Sequence, residues 1–128
     1  MSNIFKYVDL SGVELRSPQV VMVLKPWIDV GRVGTRVIRF LKDALGAEEL
    51  ATMRSPSTFY DYTIYRPRTY FSDGKRVFRQ PQTRLYYVKR PEQTHDLILM
   101  EMLEPHINSE EFIDAIIELS DRFQISEY

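Results

Sequence analysis

The chain has 128 residues, 44% apolar and 27% charged, with 17 Lys+Arg against 18 Asp+Glu. This is ordinary globular composition, and a chain of this length buries about two-thirds of the surface its unfolded form exposes, so a core without staples is feasible. A net charge of −1 argues against a general nucleic-acid or anionic-membrane binder, and the lack of cysteine excludes disulfides, thiolate metal ligands and a cysteine nucleophile.

The opening Met1-Ser2-Asn3-Ile4-Phe5-Lys6 has no basic start leading into an apolar run, so no secretory signal is visible. The longest apolar runs, Val20–Leu24 and Leu97–Met100, fall far short of the roughly 20 residues a membrane span needs, and the expected location is the cytoplasm.

Val20–Leu24, bounded by Pro18 and Pro26, reads as a buried strand. A loop over 25–34 follows. Then Val33, Val37, Phe40, Leu41, Ala44 and Leu45 recur at helical spacing, which predicts a helix with that apolar face on the core and Gly46 as its stop. Strand, glycine-bearing loop and helix open an α/β unit. Residues 47–56 read as a polar connection, and Phe59–Tyr65 as an aromatic, β-branched strand. Arg68–Phe71, the Ser72-Asp73-Gly74 turn and Lys75–Arg79 predict a hairpin, because Asp-Gly accepts positive φ. Thr83–Lys89 reads as another strand, and Asp96–Glu101 as a second central strand apolar on both faces. Asn108 with Glu111 predicts a capping box for a last helix whose apolar face holds Phe112, Ile113, Ile116, Ile117, Leu119 and Phe123.

The charge is segregated along the chain. Residues 66–90 carry eight basic side chains (Arg66, Arg68, Lys75, Arg76, Arg79, Arg84, Lys89, Arg90) against Asp73 alone, whereas residues 91–128 carry ten acidic ones against Arg122 alone. Such segregation fits two solvated faces, or complementarity between subunits or toward a partner. The basic segment is interleaved with aromatics, among them Tyr70, Phe71, Phe78 and Tyr86. That mixture describes an antiparallel sheet with one packed face, a protein interface, or a base-stacking surface.

Gly31-x-x-Gly34 lies between strand and helix, where a backbone turn suffices and where an anion site with Arg32 is also possible. The dinucleotide and Walker fingerprints are absent, as is a Gly-x-Ser-x-Gly elbow. His95 and His106 have no partner at metal-ligand spacing, so no metal, cofactor or catalytic residue is expected. Asp29 and Glu104 each follow a central strand. Were those strands parallel neighbours, both carboxylates would face one cleft, with Arg66 and His106 as further lining.

Three segments together resemble the proteasome assembly chaperone 2 family. They are Leu24-Lys25-Pro26-Trp27-Ile28-Asp29-Val30-Gly31-Arg32-Val33-Gly34 with Leu45-Gly46-Ala47, Phe59-Tyr60-Asp61-Tyr62 with Arg66-Pro67, and Asp96-Leu97-Ile98-Leu99 with Glu104-Pro105. The resemblance implies a phosphorylase-like α/β domain with a mixed sheet and flanking helices, here over 1–128. It also implies a domain that continues past the helix near Phe123, so that this sequence corresponds to about its first half. Archaeal members that dock on the proteasome core can end in a hydrophobic-Tyr-any tail, a pattern Glu127-Tyr128 lacks. The function implied is a non-catalytic, self-associating, protein-binding domain. Its contact residues would be Arg66, Tyr70, Phe71, Phe78 and Tyr86, and its shaping loop Asp29–Gly34. The alternative is a cleft for a nucleoside or phosphorylated metabolite, lined by Asp29, Gly31, Arg32, Gly34, Arg66, Glu104 and His106.

Overall fold

The computed structural model describes residues 4–25, 32–61, 68–79 and 81–127. Seven strands and two helices are placed: β1 (Phe5–Tyr7), β2 (Gln19–Lys25), α1 (Val33–Leu45), β3 (Glu48–Met53), β4 (Arg68–Ser72), β5 (Lys75–Arg79), β6 (Arg84–Val88), β7 (Leu97–Leu103) and α2 (Ser109–Phe123). Five strands form one mixed sheet in the order β1-β3-β6-β7-β2, and β4 and β5 form a separate ribbon. Among the described strands β2 and β7 pair in parallel and the other strand pairs are antiparallel. The mixed α/β architecture expected from the sequence is present. Among the described residues no helix is long and apolar enough to cross a membrane.

β7 is the centre. Leu97 through Met102 are all buried, so both faces of the strand need cover. Alternation along the strand divides the core in two. Leu97 and Leu99 join Val23, Tyr86 and Val88 under Ile38 of α1. Ile98, Met100 and Met102 join Val20, Leu85 and Tyr87 under Phe112, Ala115 and Leu119 of α2.

The helices sit where the sequence places them; α1 is rotated from its expected face, and α2 keeps most of its own. α1 meets the sheet through Thr35, Ile38 and half-buried Leu41, while Val33, Val37 and Phe40 face solvent, Phe40 at 69% exposure. α2 buries Phe112, Ala115 and Leu119, packs Ile116 and Phe123 against the same core, and leaves Ile113 and Ile117 outside. Gly46 at φ 63° closes α1 as expected, with Ala47 N–H donating to Lys42 O at 2.9 Å. The capping box is not formed. Asn108 sits at φ 55° with no side-chain cap bond, and its Nδ2 donates instead to Thr58 O at 2.9 Å.

Two further expectations change. The presumed polar connection over 47–56 contains β3. Of the presumed strand Phe59–Tyr65, Phe59 and Tyr60 follow a 3₁₀ turn at Pro56–Thr58 and are buried without strand pairing, and residues 62–65 lie outside the described residues. Proline at the start of that turn supplies the fixed φ it needs. The hairpin is as expected: Asp73 and Gly74 take φ 52° and 73°, the pair of positive angles a tight turn between twisted strands requires.

After α2 the chain returns to the sheet. Gln19 and Glu127 pair in parallel, Val20 N–H donates to Glu127 O at 2.8 Å, and Ser126 N–H donates to Pro18 O at 3.0 Å. Beyond that contact, the outer edge of β2 from Val21 to Lys25 carries no strand among the described residues.

Asp96 anchors the start of β7. Its fully buried carboxylate accepts from the backbone N–H of Arg16 and Arg90, both at 2.8 Å, from Lys89 Nζ at 2.8 Å and from Arg16 Nη2 at 3.3 Å. Burial pushes its pKa up, but the bonds from Arg90, Lys89 and Arg16 outweigh it and hold the group far below the usual carboxylate range. A carboxylate depressed in the native state stabilises fully above about pH 5, and that stabilisation is lost as pH falls toward the native pKa. Asp96→Asn is therefore expected to lower unfolding free energy at pH 7 by about 2–3 kcal/mol and to flatten the acid limb of the stability profile. Urea titrations at pH 7 and pH 3 check this; equal destabilisation at both pH values would contradict it.

Candidate functional site

The two parallel strands end side by side. Lys25 pairs with Leu103, and Glu104 N–H donates to Lys25 O at 2.8 Å, so both chains leave the sheet at one edge. This is the geometry under which ligands collect in open α/β sheets. A third segment joins them. His106 and Ile107 N–H both donate to Phe59 O, at 2.9 and 3.2 Å, and Asp61 N–H donates to His106 Nδ1 at 3.1 Å. The His106 ring stands edge-on to Tyr60, with centroids 6.4 Å apart.

The expected neighbourhood of the two strand ends is thus present, with Glu104 half-buried and His106 exposed. Arg32, exposed and at φ 60°, precedes α1, and Gly34 lies in the first turn of that helix. Asp29, Gly31 and Arg66 lie outside the described residues.

Beneath this edge Tyr60 ties the third segment to β7. Its hydroxyl donates to Leu103 O at 2.8 Å and lies 2.6 Å from Thr83 Oγ1, which accepts Leu103 N–H at 3.1 Å. With its one proton on Leu103 O, the Tyr60 oxygen accepts from the Thr83 hydroxyl. Both backbone groups of Leu103 are thereby satisfied at the point where the ladder ends.

On the α1 side the sequence reading missed Glu101. It is 3% exposed, and its Oε1 accepts from Lys25 Nζ at 3.0 Å and Arg39 Nη2 at 3.2 Å. Burial raises its pKa, but the charges and bonds of Lys25 and Arg39 outweigh this and lower it. A carboxylate held ionised is an acceptor and an anchor, and a poor proton donor at neutral pH. The triad links β2, β7 and α1. The signal for it was one acid inside an otherwise apolar buried run, which demands cationic partners. Among the described residues no three His, Asp or Glu side chains gather as metal ligands do.

The aromatic-basic segment divides. Tyr70 and Phe71 on β4 are exposed, Phe71 at 74%, and so are Lys75 and Arg76 across the turn. Phe78 lies on β5, paired with Thr69. Tyr86, in contrast, is only 7% exposed and lies in the core beneath α1, where Lys42 Nζ sits 4.6 Å from its ring. The adjacent Tyr87 turns to the other face, and its hydroxyl donates to Glu48 Oε2 at 2.8 Å. That bond, with burial and the Glu48 charge, raises the Tyr87 pKa.

α1 supplies a surface that the sequence reading assigned to the core. Arg39 and Lys42 reach β7 and β6 from one flank of the helix. Val33, Val37 and Phe40 lie on the side of the helix turned away from Ile38 and are exposed, and on β2 Val21 and Met22 are exposed on opposite faces of the sheet.

The model of the PAC2 family matches residues 23–128. No curated protein matches the chain. A PAC2 family protein from Streptomyces avermitilis superposes with a TM-score of 0.75 at 24% identity, over 84% of this chain and 46% of that one. A proteasome-assembly chaperone homologue from Mycobacterium tuberculosis gives 0.73 at 23% identity, over 83% and 45%. A second M. tuberculosis protein, of unknown function, gives 0.77 at 24% identity, over 98% and 44%. The chain therefore spans less than half the length of these structures, whose likeness extends to the fold.

The Tyr60 network predicts a measurable coupling. Tyr60→Phe is expected to cost about 1–2 kcal/mol in urea unfolding, and Thr83→Val is expected to cost less in that background than in the wild type. Additive losses would show that the two hydroxyls do not act together.

Proposed function

The chain belongs to the PAC2 family, and on that premise we propose that residues 1–128 form a single α/β domain that binds protein, as assembly chaperones do, and self-associates in the cytoplasm without catalysing a reaction. The observation that carries this reading is the outward apolar flank of α1. Val33, Val37 and Phe40 are spaced as a core-facing stripe yet are exposed, and the helix that carries them packs on β2, a strand with an open edge among the described residues. An edge strand offers unpaired N–H and C=O groups to another chain, and an exposed apolar stripe on a helix is surface that a protein partner can cover. The neighbour named for proteasome assembly supports the same class of role.

Phe40→Glu tests the surface directly. Because Phe40 projects into solvent, the substitution is expected to change stability by no more than about 0.5 kcal/mol. It is expected to weaken association at least tenfold, by sedimentation velocity and by affinity capture compared with wild type. A wild-type chain that stays monomeric at tens of micromolar and captures nothing specific would overturn the proposal.

A second reading has one observation in its favour, the convergence of Lys25, Glu104 and His106 at the ends of parallel strands. It takes that edge as a site for a nucleoside or phosphorylated metabolite. Thermal unfolding with nucleosides, nucleotides and phosphate decides it: an upward shift in midpoint is expected if the site binds, and no shift with any of them removes this reading.

A further inference from the structure

We propose that the β4–β5 hairpin is a docking arm that seats on the outer face of α2 in a second copy of the chain. This rests on the self-association just proposed, and it adds to the surface on α1 and β2 a second, separate contact between copies.

The hairpin is the first half of the argument. β4 and β5 pair with each other and stand outside the five-stranded sheet. A two-stranded ribbon alone is marginal in water and gains its stability from something packed on it. Thr69 and Phe71 share one face, and Phe71 is directly opposite Arg76. Both Phe71 and Arg76 are exposed, which gives this face an aromatic ring beside a cation.

α2 is the second half. Glu110, Ile113, Asp114, Ile117 and Asp121 follow one another at spacings of three, one, three and four, which puts them along one side of the helix. Ile113 and Ile117 are 56% and 55% exposed, and the three acids are exposed with no ion pair among the described residues. The cation that would offset them is withdrawn: Arg122, the one Lys or Arg beyond residue 90, lies 3.9 Å over the Tyr7 ring. α2 therefore presents two isoleucines rimmed by uncompensated carboxylates, and the hairpin presents a phenylalanine beside a cation, Arg76. Apolar surface meets apolar surface, and the charges fix register and speed encounter. The segregation of basic residues in 66–90 and acidic residues beyond 90 gains a physical role in this pairing: it makes one copy complementary to the next.

The contact is small and charge-rimmed, so its expected affinity is micromolar and falls with salt. Sedimentation velocity over a range of micromolar concentrations tests it with four proteins: wild type, Arg76→Glu, Asp114→Arg and the double variant. The wild type is expected to associate with rising concentration and to dissociate in half-molar salt. Each single reversal is expected to weaken association at least tenfold, and the double variant to recover most of it, because the pair is restored with its signs exchanged. Phe71→Ser, checked for an unchanged far-ultraviolet circular dichroism spectrum, is expected to weaken association as well. A monomeric wild type overturns the inference, as do single reversals that associate like wild type or a double variant that recovers nothing. If the wild type associates and only Phe40→Glu abolishes it, the arm is wrong while protein binding through α1 stands.

Discussion

Burial of β7 on both faces governs the rest of this structure. Leu97 to Met102 leave no side of the strand for water, so a layer must lie on each. α1 supplies one and α2 the other, while β2 and β6 close its two edges. The same constraint explains the two acids on and beside the strand. Asp96 and Glu101 enter the interior only because cations and N–H groups from four other segments meet them. Asp96 thereby ties residues 16 and 89–90 to the start of β7, and Glu101 ties β2 and α1 to its second half.

Elements that stand on continuous local signals were legible in the sequence. β2 and β7 are uninterrupted apolar runs, the hairpin has Asp73-Gly74 at its turn, and α1 ends at a glycine. β3 was hidden because Glu48 and Glu49 open it on the exposed side and its ladder carries a bulge after Glu49. β1 has three residues, too few to show a period. Phe59 and Tyr60 have strand-like composition but are buried in an irregular segment, held by the Tyr60 hydroxyl and by Phe59 O rather than by a ladder. The expected face of α1, and Ile113 and Ile117 on α2, failed for a more general reason. Periodicity identifies an apolar stripe, but not whether the core or another molecule covers it. In α1 the sheet is met by Ile38 and Thr35, with Arg39 and Lys42 reaching beyond them, and the more apolar stripe is left outside.

The candidate site divides along the same line. Glu104 and His106 follow from their place after a central strand, and the parallel pairing of β2 with β7 brings the two strand exits together. Glu101 needed the fold to reveal Lys25 and Arg39, which are distant in sequence. Tyr86 has the composition of an interface residue, yet the alternation of β6 turns it into the core. Among the described residues apolar groups remain outside on several elements, including Val21 and Met22 on β2, Phe40 on α1, Phe71 on β4, and Ile113 with Ile117 on α2. Solved PAC2-like structures have more than twice the length over which this chain matches them. An arrangement with an open strand edge and uncovered helix flanks is the physical basis for reading it as a domain that meets other chains.

The most direct measurement is amide hydrogen exchange along β2. Val20 N–H already points outward to Glu127 O, so by the two-residue period of the strand the N–H groups of Met22 and Leu24 face the same open edge. The account predicts that these two amides exchange rapidly in the isolated protein and gain strong protection in its assembled or partner-bound form. Equal exchange in the free and assembled forms would contradict it, since the β2 edge would then take no part in association.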